Sequence, residues 1–205
     1  AKRILGDPEA AQATAAEALR LLEQRRAAGE TSDSDTIALA LAYATKAQIG
    51  EFTNDPNAMT YSGRAAELLK PLAEGPNALV AAKRAYVDVL VRVGFDQLRS
   101  SQYEAAERTT AHAAKLADSL GARDLSDFGM AAFYTEASAW RVEALWSLGR
   151  LDEARRVAED AIAVADKVLA QRPGYRMALH AQQLLVSDAA YMYMTELNPL
   201  QSLEG

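Results

Sequence analysis

The residues able to do chemistry in this chain are few and far apart. Two histidines, His112 and His180, occur among 205 residues, and cysteine is absent. The histidines fall on different helical runs, with no acid or second histidine at metal-ligand spacing. His112 lies between Ala111 and Ala113, and His180 follows Ala178-Leu179. A surface or hydrogen-bonded histidine accounts for each better than a metal ligand or general base does. Without cysteine there is no disulfide, zinc–thiolate centre or thiol nucleophile. No HExxH, glycine-rich phosphate loop or Gly-x-Ser-x-Gly turn occurs. The carboxylate pairs Asp152/Glu153 and Glu159/Asp160 are sequence neighbours, which do not converge on one substrate. Acids near a helix start are explained by its dipole. The expectation is a non-enzyme with no catalytic, cofactor or metal site.

Binding chemistry is more visible, on two long helical runs. At 100° per residue, the run beginning near Ser126 is apolar over most of its circumference. Phe133, Ala137, Ala144 and Leu148 lie on one side, with Val142, Leu145 and Trp146 on others. Its polar residues gather in one stripe, Glu136, Glu143 and Ser147, with Trp140 at the edge. Forty-eight residues earlier, Asp88, Arg92, Phe95 and Arg99 stand in the same angular phase. A helix apolar nearly all round is sandwiched between others and exposes only its stripe. Two stripes in register form adjoining rungs of a solvent-facing groove, the candidate partner-binding site.

Each stripe residue also has a plainer reading. Trp140 borders the apolar face and reads as core. Phe95 is open between core and aromatic anchor, the residue class that dominates interface hot spots. Arg92 and Arg99 recognise an acidic partner, or simply pair with Glu136 and Glu143, a weak contact if exposed. Arg141 interrupts an apolar side and reads as a snorkelling or paired arginine before a cation awaiting a carboxylate ligand.

The elements that position these residues are helices throughout. Half the residues are hydrophobic and 44 are alanine, the best helix former and one that lets backbones approach closely. Alternating β-branched runs and Asn-Gly or Asp-Gly hairpin turns are missing, so the class is all-α. A net charge of -6 and scattered Lys and Arg argue against a nucleic-acid partner. The longest uncharged apolar stretches, Thr36 to Thr45 and Met177 to Ser187, fall short of the roughly 20 residues of a membrane helix. No signal peptide is seen, and a cytoplasmic location is expected. The chain starts without Met and in mid-repeat, which suggests a piece of a longer protein.

A motif returns every 48 residues. Asp7-Pro8-Glu9-Ala10 recurs as Asp55-Pro56-Asn57-Ala58, Tyr103-Glu104-Ala105-Ala106 and Leu151-Asp152-Glu153-Ala154, and Asn198-Pro199-Leu200-Gln201 begins a fifth unit one residue early. Such a period marks stacked units that bury their apolar faces against one another, so residues 1–205 read as one array. Asp7 and Asp55 before proline predict helix starts, as does the capping-box pattern Ser101-Gln102-Tyr103-Glu104. Gly29, Gly75, Gly121 and Gly174 predict left-handed helix ends. The predicted helices run Pro8 to Ala27, Asp35 to Phe52, Pro56 to Ala73, Asn77 to Arg99, Gln102 to Leu120, Ser126 to Leu148, Leu151 to Gln171 and Tyr175 to Leu197. Short connections make successive helices antiparallel neighbours.

The repeats resemble tetratricopeptide repeats. The best match is Leu148-Gly149-Arg150-Leu151-Asp152-Glu153-Ala154 with Ala158 and Ala161. The preceding unit matches through Gly94, Tyr103, Ala106, Thr110 and Ala113. Tyr43, Ala47, Gly63 and Ala66 match with a register slip of one, and Ala189 fits the small position of the last long helix. The period of 48 exceeds the family's usual 34, and the proline closing the second helix is missing, so a long-repeat variant is implied. The resemblance implies a right-handed α-solenoid that binds a peptide or partner helix along its concave face. It also implies, as the alternative, a sensor module of a bacterial kinase, cyclase or transcription regulator, answering a peptide or small ligand. A spacer or dimerisation arm is a third reading. Tyr191-Met192-Tyr193-Met194 reads as a face for a missing repeat, whose exposure invites self-association through the terminal helices.

Overall fold

A computed structural model describes residues 8–29 and 31–197. The described residues form eight helices and no strand: α1 Pro8–Ala27, α2 Asp33–Thr53, α3 Ala58–Glu74, α4 Val80–Arg99, α5 Tyr103–Asp118, α6 Phe128–Ser147, α7 Leu151–Gln171 and α8 Arg176–Leu197. The chain divides into two compact units, one through Val89 and one from Leu90. In the first unit α2 packs against α1 and α3. In the second α6 packs against α5, α7 and α8, and α7 also packs on α8. The all-α class is as the composition implies.

Alanine explains how the helices come so close. In the second unit Ala106, Ala113, Ala154, Ala158 and Ala161 are fully buried, as are Val142, Ala144 and Leu145 of α6. Gly94 makes a close helix-to-helix approach, since a Cβ on it would stand 2.4 Å from the Thr110 methyl group. Of the positions compared above with tetratricopeptide repeats, these alanines, Gly94 and Thr110 are packing positions, whereas Gly149, Arg150 and Asp152 are exposed. In the first unit Tyr43 and Ala47 are buried too, but Gly63 has open space beside its Cα and Ala66 is only half-buried.

Several helix ends differ from the expected ones, each for a local reason. Pro56 lies in a turn before α3, because the Asp55 carboxylate accepts from the Asn57 N–H (2.9 Å) and its amide (3.1 Å) instead of capping. α4 starts at Val80 and not near Asn77, after a turn closed by Leu79 N–H donating to the Leu72 carbonyl at 2.9 Å. Ser101 is left-handed (φ 57°), so it cannot serve as an extended cap, and α5 begins at Tyr103 without a side-chain cap. The capping box is at Ser32 instead. Its Oγ accepts from the Asp35 N–H, and the Asp35 carboxylate accepts from the Ser32 N–H at 3.1 Å, a motif worth about 1 kcal/mol. Those bonds hold the Asp35 carboxyl below the usual carboxylate range. Gly29 and Gly121 adopt the left-handed ends expected of them (φ 75° and 92°), whereas Gly75 is extended and Gly174 is not left-handed. α2 is closed by left-handed Asn54. The cap at Asp7, the fifth repeat start at Asn198 and the side chains of Tyr191-Met192-Tyr193-Met194 lie outside the described residues.

Candidate functional site

α6 is enclosed by its three neighbours and reaches solvent mainly along one line. Glu136, Trp140 and Glu143 are half-buried there, and Ser147 is exposed at the helix end. Phe133, expected on a buried side, is also half-buried, because it sits one turn before Glu136. Within the second unit α4 contributes half-buried Arg92 and Phe95 and exposed Arg99. Asp88 is half-buried and belongs to the first unit, so the geometry below concerns the other seven residues.

The two rungs meet at an aromatic pair. The Phe95 and Trp140 rings lie 4.8 Å apart between centroids, tilted by 45°. Trp140 also packs on the buried cluster of Leu98, Ala106 and Ala144, beside Tyr103. It is thus both a core residue and a stripe residue. The Arg99 guanidinium stands 5.8 Å from the Phe95 ring centre, a cation–π distance. Arg99 therefore covers the Phe95 side of the aromatic pair.

Glu143 has another acid in its neighbourhood. Burial, then the nearby Asp188 of α8, pushes its carboxyl above the usual range, and burial raises Asp188 likewise. Asp188 was missed in the sequence, although it stands 48 residues after Trp140 and so occupies the third rung at the same phase. Extending the stripe comparison by one more period would have found it.

The raised Glu143 carboxyl has a stability consequence. The folded chain binds this proton more readily than the unfolded chain, so the charged carboxylate costs stability at neutral pH. That cost disappears as pH falls through the raised folded value. Glu143→Gln should therefore stabilise the protein at neutral pH by less than about 1 kcal/mol, because half the group still reaches water. Thermal unfolding at neutral and mildly acidic pH checks this: the gain should vanish in acid. A lower midpoint for the variant at neutral pH would contradict it.

The remaining polar candidates lie elsewhere. Arg141 is paired, donating from Nε to the Glu107 carboxylate at 3.0 Å, with Nη2 at 2.9 Å. Arg150 approaches the same carboxylate at 3.9 Å. Arg141 also lines a cleft of about 250 Å³ among α5, α6 and α7, with Lys115, Asp118, Tyr134, Ser138 and Asp160. Arg123 joins the cleft wall, bridging to Asp160 and standing 5.5 Å from the Tyr134 ring centre. Burial raises the Tyr134 hydroxyl, and Arg123 opposes that shift. His112 is half-buried on α5 and His180 exposed on α8. Among the described residues no group of three His, Asp or Glu side chains is placed to hold a metal, and no helix is long and apolar enough to cross a membrane.

The fold and this face define an all-α protein whose successive helices pack together. No protein-family model, curated protein or solved structure matches the chain.

Proposed function

We propose that the chain is a non-enzymatic, tetratricopeptide-like interaction scaffold that takes a peptide or partner helix along the stripe of Arg92, Phe95, Arg99, Glu136, Trp140, Glu143 and Ser147. A cytoplasmic location goes with this reading. The observation that supports it best is the pairing of two half-buried features on one face: the Phe95–Trp140 rings and the Glu143–Asp188 acids. An apolar side chain gains contact area on the rings, and a Lys or Arg relieves the cost of holding two carboxylates together. The favoured partner thus carries a basic residue close to an apolar one.

The test begins with binders selected from a displayed random peptide library, then titrated calorimetrically against the wild type and Glu143→Gln/Asp188→Asn. Basic–apolar peptides should be enriched, and the double variant should weaken them about tenfold or more. Peptides bound equally by the double variant and by Trp140→Ala would place the interface elsewhere.

The polar cleft around Arg123 and Arg141 favours a second reading, a sensor module of a larger bacterial signalling protein. Its convergent cations, acids and tyrosine hydroxyl suit a small polar ligand.

A further inference from the structure

We propose that copies of this chain associate head to tail, the exposed flank of α8 of one copy seating in the groove between α1 and α2 of another. That groove measures about 500 Å³ and is lined almost wholly by apolar atoms of Ala11, Thr14, Ala15, Ala18, Ala42 and Ile49.

The chain displays the same joint closed within itself. Ala10 and Thr14 of α1 stand 96 residues before Ala106 and Thr110 of α5. The local geometry is also the same. Thr14 Oγ1 donates to the Ala10 carbonyl at 2.8 Å, and Thr110 Oγ1 donates to the Ala106 carbonyl at 2.7 Å. That bond fixes the β-branched side chain and turns its methyl group outward. On α5 the methyl is covered by Gly94, and Ala106 by Leu98, so both residues are fully buried. On α1 both Ala10 and Thr14 are exposed.

The complementary half of the joint is on α8. Val186 and Ala190 stand 96 residues after Leu90 and Gly94, both buried. They also stand 48 residues after Ser138 and Val142 of α6, which are buried as well. On α8 the same flank is open: Leu179 is 43% exposed, Val186 49%, and Ala190 is exposed too. Size matches as well as position. Thr110 is met by Gly94, and 48 residues later Ala158 of α7 and Val142 of α6, both fully buried, stand at the corresponding positions. An Ala190–Thr14 joint has a combined bulk between those two. The second copy therefore brings the kind of surface that this groove is shaped to receive.

The two surfaces are different, so the contact is heterologous and, repeated from copy to copy, closes into a ring or runs on as an open chain. Sedimentation velocity from micromolar to millimolar concentration should show a mass that rises above the monomer. Thr14→Arg, at an exposed groove position, and Val186→Glu, at an exposed flank position, should each weaken association about tenfold or more. An equimolar mixture of the two variants should form a dimer and stop there, because only one intact groove and one intact flank can meet. A wild type that stays monomeric throughout would overturn the proposal. So would a dimer plateau insensitive to both substitutions, or a mixture of variants that remains monomeric.

Discussion

Gly94→Val is expected to destabilise the protein by about 3 kcal/mol, the upper end of what overpacking a helix contact usually costs. A Cβ at this position meets Cγ2 of Thr110 at 2.4 Å. Thr110 cannot retreat: it is fully buried, and its hydroxyl is held by the Ala106 carbonyl at 2.7 Å. Removing a glycine from a helix ordinarily gains at most about 1 kcal/mol, so the steric term decides the sign. Thr110→Ala in the same chain should recover more than half of the loss, because the chain already places Val142 and Ala158 at the corresponding positions one period later. Urea unfolding reads this as a fall in midpoint at constant slope for the single variant and a rebound for the double. Additive losses in the double variant would mean that the two residues do not limit each other.

Leu145→Ala should cost about 3–4 kcal/mol. Leu145 is among the largest fully buried side chains, on the helix that packs against α5, α7 and α8. The cost of such a deletion depends on how far the surroundings can collapse. The helices around α6 bury many alanines, which have no side chain able to swing into a void. Leu179→Ala is the control, since a leucine 43% exposed should cost below about 1 kcal/mol under dilute conditions. Equal losses at the two positions would contradict the enclosed position of α6.

The periodicity of apolar residues carried the helices and the stripe, because both depend on angular phase along one chain. The positions of Glu136, Trp140 and Glu143 at the accessible edge of α6 follow from that phase alone. Helix ends were less legible. Asp55 and Ser101 are good caps by residue type, but the turn geometry decided against both: Asp55 binds its own loop, and Ser101 is left-handed. What lay furthest from the sequence was the company each side chain keeps. Arg99 had an acid in plausible reach but lies over Phe95, and the charge that bears on Glu143 is that of another acid, Asp188. Such choices depend on distances between helices, and residue spacing within a helix does not contain them. Arg141 was read better, since an arginine on an apolar side nearly always finds an acid, here Glu107.

The close helix contacts are made by Gly94, Ala106, Ala113, Ala154, Ala158 and Ala161. None of these side chains has a rotamer to lose on folding, so ordering them costs no side-chain entropy. None has a rotamer to change afterwards either. A joint of this kind cannot be re-cut by a small side-chain movement; it shifts only if whole backbones shift. The spacing between rungs then acts as a gauge of set pitch. Under the proposed scaffold function, a partner would be selected by whether the intervals between its own side chains match that pitch, with accommodation left to the long side chains of Arg99 and Glu143.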